Sequence, residues 1–179
     1  MLPTGTVTFL FTDIEASTPR WESDAGAMAA APAAHDEVLR SAIAGHGGFV
    51  FKHTGDGVCA AFGSAPEAVA AAVEAQRRLR LPVRMGIATG VPELRGGDYF
   101  GPPLNRAARV MGAGHGGQIL VAPSTAALLE GVDVADLGEH RMQGVAGLVR
   151  VFQVRAEGLR VRFPALRTLE AVPGNLPME

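Results

Sequence analysis

Residues 6–12 read Thr-Val-Thr-Phe-Leu-Phe-Thr, a β-branched and aromatic stretch that runs straight into Asp13, and this predicts a strand ending in a carboxylate. Residues 25–44 favour helix through their alanines, with Val38, Leu39, Ala42 and Ile43 as an apolar stripe, although Pro32 is expected to kink or restart it. Gly45, Gly47 and Gly48 then stop it. Residues 48–53 and 58–62 are short strand candidates, and Gly55-Asp56-Gly57 between them has the composition of a tight hairpin turn. Residues 66–79 predict a helix with Ser64 as N-cap, Glu67 three residues on, and Val69, Ala72, Val73, Gln76 and Leu79 on one face. A strand over 83–89 follows.

After a glycine-rich loop, Pro102 and Pro103 open a helix in its first turn, where a missing amide hydrogen costs little. Leu104, Ala107, Ala108 and Met111 share its apolar sector, while Asn105 and Arg109, four apart, project together from a flank. Residues 118–121, 124–129, 132–137 and 149–154 then read as strand, short helix, strand and strand. Interleaved elements with hairpins predict an α+β sheet with helices on one face, rather than a doubly wound parallel sheet. There is no internal repeat. From residue 155 the pattern fades into proline-containing stretches around Pro164 and Pro173, so a domain over 1–156 and a linker or tail over 157–179 are expected.

The 179 residues suffice for one domain with a proper core, and a formal charge of −2 provides no broad basic field for nucleic acid or an anionic membrane. The single cysteine, Cys59, cannot form an internal disulfide, and its apolar neighbours predict a buried structural thiol. No apolar run reaches the roughly 18 residues of a membrane span, and no basic leader precedes Val7, so a soluble cytoplasmic protein is expected. His35, His46, His53, His115 and His140 show no metal-ligand spacing and are expected at the surface or in loops. One lysine, Lys52, stands against fifteen arginines. It lies in Lys52-His53-Thr54-Gly55-Asp56-Gly57, beside a carboxylate in a glycine turn.

Asp13 at a strand end and Asp56 in a neighbouring turn together suit a pair of divalent ions, since magnesium takes few protein carboxylates along with phosphate oxygens and water. Singly, Asp13 reads equally as a helix cap and Asp56 as turn chemistry. Their order along the chain adds more. Phe11-Thr12-Asp13-Ile14-Glu15-Ala16-Ser17-Thr18, then Lys52-x-x-Gly55-Asp56, then Asp98-x-x-Gly101-x-x-x-Asn105-x-x-x-Arg109 follow one another, and this arrangement resembles the class III nucleotidyl cyclase catalytic domain, of the bacterial type found at the N-terminus of multidomain transcriptional regulators. The likeness spans roughly residues 4–154, most of the chain.

The resemblance implies a ferredoxin-like, palm-like antiparallel-rich sheet with helices packed on it. It implies that Asp13 and Asp56, with Ile14, hold two Mg2+ or Mn2+ ions, and that the backbone of Ile14, Glu15, Ala16, Ser17 and Thr18 seats phosphates on unpaired amides. Lys52 and Asp98 match the family's base-reading pair. An ammonium donates to adenine N1 and a carboxylate accepts from the exocyclic amine, whereas guanine presents the opposite pattern, so ATP is expected over GTP. Asn105 and Arg109 match the transition-state pair, orienting the ribose and meeting charge on the α-phosphate.

The resemblance further implies an adenylate cyclase that makes 3′,5′-cyclic AMP and pyrophosphate. It places the sites between two catalytic domains, the metal carboxylates coming from one and the remaining residues from the other. This chain holds both half-sets, so a head-to-tail homodimer with two sites needs no different partner. Ala16 stands where relatives usually carry glycine, and Gln143 comes where many place a lysine toward the triphosphate. The rival reading is a weakly active or silent cyclase-like module that binds nucleotide or only dimerises; the stretch from Phe163 to Pro177, which resembles the connector after such domains in large bacterial regulators, motivates it, and Ala16 and Gln143 argue for a weak site. A diguanylate cyclase or polymerase fragment would use a similar metal pair, but would leave Lys52 with Asp98, and the Asn105 to Arg109 spacing, without a purpose.

Overall fold

The computed structural model describes residues 2–15 and 25–172, with side chains over 34–171 in the second stretch. The expected strand is β1 (Val7–Ile14), and the first helix, α1 (Ala25–Gly45), runs continuously across Pro32 without the anticipated restart. The hairpin is formed by β2 (Phe49–Thr54) and β3 (Gly57–Phe62). Helix α2 (Ala65–Arg78) begins at Ser64, whose hydroxyl accepts from the Glu67 amide at 3.5 Å. The Glu67 carboxylate lies 3.2 Å from His46 Nδ1. Next come β4 (Val83–Gly90), a small hairpin of β5 (Glu93–Arg95) and β6 (Asp98–Phe100), and helix α3 (Pro102–Ala113). The chain continues through β7 (Ile119–Val121), the single turn α4 (Pro123–Ala126), β8 (Asp133–Arg141), β9 (Leu148–Arg155) and β10 (Glu170–Val172).

Eight strands form one sheet in the order β10-β8-β9-β7-β4-β1-β3-β2, antiparallel except where β4 meets β7. The α+β reading therefore holds, but the helices occupy both faces rather than one. The alternation of β1 shows why. Leu10 and Ile14 point into a core with Leu39 and Ile43 of α1 and Val69 and Ala72 of α2, while Val7 and Phe9 point into a second core with Ala107 and Val110 of α3. Gly86 on β4 lets α3 come this close, because a Cβ there would lie 2.3 Å from the Met111 amide nitrogen.

Over residues 157–172 the stretch read as a linker or tail lies along the domain, and its end pairs with β8 as an edge strand. Its prolines and lack of periodicity hid a path held mainly by single hydrogen bonds. The histidine expectation also fails for two of five residues. His35 is buried in α1 and His140 in β8, whereas His115, though buried, lies in a loop; His140 Nε2 is 2.8 Å from the Leu137 carbonyl and its Nδ1 is 2.9 Å from the Thr168 hydroxyl. No helix among the described residues is long and apolar enough to cross a membrane.

Candidate active site

Thr12, next to the end of β1, fixes the geometry of the two carboxylates. Its buried hydroxyl accepts from the Val58 amide at 3.0 Å and donates to the Val58 carbonyl at 3.4 Å, tying β1 to the first residues of β3. Gly57 completes the contact: a Cβ there would fall 1.8 Å from the Thr12 carbonyl oxygen. Only a residue without a side chain lets the Asp56 turn close against the strand that carries Asp13. Asp13 and Asp56 both line one groove of about 580 Å³. Lys52 and Asn105 line it too, and Phe11, Phe51, Cys59 and Leu104 supply apolar wall.

Asp13 faces Arg84 directly in the β1–β4 ladder, and its carboxylate accepts a hydrogen bond from the Arg84 guanidinium. A second guanidinium nitrogen donates to the Gly112 carbonyl near the end of α3 at 3.4 Å. Arg84 is a site residue that sequence reasoning missed. The signal was its place in a strand facing the Asp13 strand, but pairing of β1 with β4 is not written in local sequence. The donor set fits a hard divalent cation held with phosphate oxygens, because it offers two carboxylates and, among the described residues, no cage of three or more ligands.

Lys52 Nζ lies 3.4 Å from Asp98 Oδ2, so the expected base-reading pair does meet. Both are partly exposed, at 47% and 34%, and open to a ligand. Asp98 is oriented by the Tyr99 amide, which donates to its other oxygen at 2.8 Å. Tyr99 is itself buried against Phe9 and Phe51, with ring centroids 5.1 and 5.0 Å away. Its hydroxyl donates to the Pro3 carbonyl at 2.5 Å. Cys59 is the buried thiol expected, and burial pushes it up to about 11, with Lys52 opposing the shift.

Asn105 and Arg109 do project together, and both rest on the loop between β8 and β9. Asn105 Nδ2 donates to the Gly144 carbonyl at 3.2 Å, and the Arg109 guanidinium passes 3.3 Å from where a Gly144 Cβ would stand. Gly144 has φ 76°, which glycine adopts without strain. Arg109 is exposed but does not line the groove that Asn105 lines. Gln143, the uncharged residue in the lysine position, is next to this contact in the same loop.

The phosphate-seating expectation meets a different arrangement at its first residues. Ile14 buries its side chain in the core, and the Glu15 amide is not unpaired: it donates to the Pro82 carbonyl at 2.8 Å. The Glu15 carboxylate accepts from the Gly116 amide at 3.1 Å and lies 3.3 Å from His115 Nδ1 and 2.7 Å from Arg167 Nη2. Burial raises this carboxyl, but the Gly116 hydrogen bond and the neighbouring Arg167 and His115 charges outweigh it and hold it below its ordinary value. Ala16, Ser17 and Thr18 lie outside the described residues.

Residues 1–156 match the family described as the adenylate and guanylate cyclase catalytic domain. An uncharacterized protein of Mycobacterium tuberculosis is 38% identical over 97% of this chain, which spans 64% of that protein's length. A receptor-type adenylate cyclase of Trypanosoma brucei brucei is 32% identical over 92% of this chain and 18% of its own. Among solved structures, an adenylate cyclase from Trypanosoma brucei in its monomeric state superposes with a TM-score of 0.85 at 27% identity, covering 97% of this chain and 98% of that one. Taken with the mostly antiparallel sheet and the groove at the end of β1, these likenesses establish that the chain belongs to the adenylate and guanylate cyclase catalytic domain family, the class III nucleotidyl cyclases.

Proposed function

We propose that this cyclase domain acts on ATP, forming 3′,5′-cyclic AMP and pyrophosphate at sites shared by two copies in a head-to-tail homodimer. The observation that carries the choice of base is the Lys52–Asp98 pair, 3.4 Å apart beside the groove. One donor and one acceptor side by side match N1 and the exocyclic amine of adenine; guanine would set its ring N–H against the ammonium and its carbonyl against the carboxylate.

Asp13 and Asp56 would hold Mg2+ or Mn2+ with help from the Ile14 carbonyl; the ions supply a lowered pKa at the ribose 3′-hydroxyl and charge compensation on the triphosphate. Thr12 and Gly57 keep the two carboxylates at a fixed separation. Arg84 is drawn toward Asp13 by charge and donates to it and to the Gly112 carbonyl, so Asp13 carries a cationic partner whose place a divalent ion would have to take or share. Asn105 orients the ribose, and Arg109 meets the charge that develops on the α-phosphate as the 3′-oxygen attacks and pyrophosphate departs. The chain carries both half-sets, which supports two equivalent sites in a symmetric dimer.

A cytoplasmic setting follows from the need for ATP. Residues 157–179, which follow the matched catalytic domain, are read as its tail, with residues 157–172 lying along the domain.

The test is cyclisation with ATP and GTP side by side in manganese. Cyclic AMP should dominate, with specific activity rising as protein concentration drives dimer formation. Mixing an Asp13→Ala chain with an Arg109→Ala chain should restore activity at one of the two sites. No cyclic product from an intact fold at high protein concentration would leave the silent-module reading, which the occupation of Asp13 by Arg84 and the uncharged Gln143 favour.

A further inference from the structure

We infer that residues 161–172 form a strap that positions the nucleotide site, with Arg167 as its positioning residue. This rests on the cyclase reading for its consequence and on geometry alone for its existence. The strap touches, one after another, three elements that carry site residues. Its first anchor is a buried amide relay: the Val161 carbonyl accepts from Gln153 at 2.9 Å, Gln153 Oε1 accepts from Gln118 at 2.8 Å, and Gln118 Oε1 accepts from the His115 amide at 3.0 Å. His115 then turns its Nε2 to the Ala165 carbonyl at 2.9 Å and its Nδ1 to Glu15.

Arg167 makes the central contacts. Its amide donates to the carbonyl of Ala113, the last residue of α3, at 2.9 Å, and its guanidinium reaches Glu15 at 2.7 Å. It therefore joins the end of the Asn105 and Arg109 helix to the chain leaving Asp13. Two residues on, the Leu169 amide donates to the Arg141 carbonyl at 2.9 Å, and β10 then pairs with Glu139, His140 and Arg141. Arg141 leads into the loop whose Gly144 carbonyl holds Asn105. Helix α3 is thus gripped at its C-terminus by the strap directly, and at Asn105 by a loop that the strap steadies.

The exposures separate positioning from bulk stability. The Arg167 side chain is 52% exposed, so its ion pair adds little to folding, whereas Glu15 is 19% exposed and its carboxylate is fixed by whichever donors surround it. Removing the Arg167 guanidinium should leave the domain folded while giving the segment after Asp13 a partner fewer.

The experiment compares the full chain with Arg167→Ala and Arg167→Lys by backbone hydrogen exchange and by steady-state kinetics with ATP and manganese. Arg167→Ala should speed exchange at residues 13–15 and 111–118 while leaving β2 and β3 unchanged. It should lower kcat/KM roughly fivefold, at the small end of intramolecular coupling. Arg167→Lys, which keeps the charge, should recover most of both. Wild-type exchange and kcat/KM in Arg167→Ala would overturn the inference. So would equal losses in both variants that track only the folded fraction, since a mere brace behaves that way. If the wild type made no cyclic product, the cyclase reading would fall and the exchange data alone would decide the strap.

Discussion

Replacing Gly57 by alanine tests how the Asp56 turn is held against β1. The added methyl would stand 1.8 Å from the Thr12 carbonyl oxygen, 2.6 Å from its carbon and 3.1 Å from Asp13 Cα, all of them backbone atoms that cannot swing aside. To reach ordinary contact, the turn must retreat by roughly 1.5 Å. That retreat pulls the Asp56 carboxylate away from Asp13 and strains the hydrogen bonds between Thr12 and Val58. Overpacking of this kind costs about 1–3 kcal/mol of stability, and a displacement near 1 Å in a catalytic group costs about a hundredfold in rate.

The assay is cyclase turnover across a manganese titration, with thermal unfolding in parallel. Turnover should fall about a hundredfold and the metal requirement should rise, while the protein stays folded at the assay temperature. Gly63→Ala serves as the control, because a Cβ there meets nothing within 4 Å and its backbone is not left-handed. Retention of more than half the wild-type turnover in Gly57→Ala, at wild-type metal concentrations, would refute the argument that this contact sets the carboxylate spacing.

Lys52→Ala should raise KM for ATP by about ten- to a hundredfold, the value of one hydrogen bond from a charged donor, and narrow the preference over GTP; competition between the two nucleotides reads this out. Cys59 should resist alkylation in the native protein at pH 8, where a thiol pushed up to about 11 is ionised in roughly one molecule per thousand, and react at once in denaturant. Glu15 has a carboxyl held below its ordinary value of 4.5. The stability it contributes is complete above that value and is lost as pH falls through the lower value of the folded state. Glu15→Gln should therefore flatten the decline in melting temperature below pH 4.5.

The residues that were legible in advance were those whose partners lie close along the chain. Ser64 and its helix, the Gly55-Asp56-Gly57 turn, and the shared flank of Asn105 and Arg109 all follow from local periodicity and turn chemistry. Lys52 with Asp98 was matched only through the family resemblance, since β2 and β6 belong to different sheets. What stayed hidden depends on pairing over long separations. Arg84 meets Asp13 because β4 lies beside β1, and Glu15 meets Arg167 because the chain doubles back after β9. The placement of helices on both faces was hidden for a related reason: the period of β1 shows two apolar faces, but not which helix covers which.

Lys52 is the sole lysine, and its ammonium is half exposed at the groove edge. Amine chemistry therefore has one side-chain target in the protein, placed where the base is expected to bind. An acylating reagent, read by the mass of the peptide that carries Lys52 because the terminal amine also reacts, should report nucleotide occupancy beside Lys52, with ATP slowing the modification and GTP slowing it less.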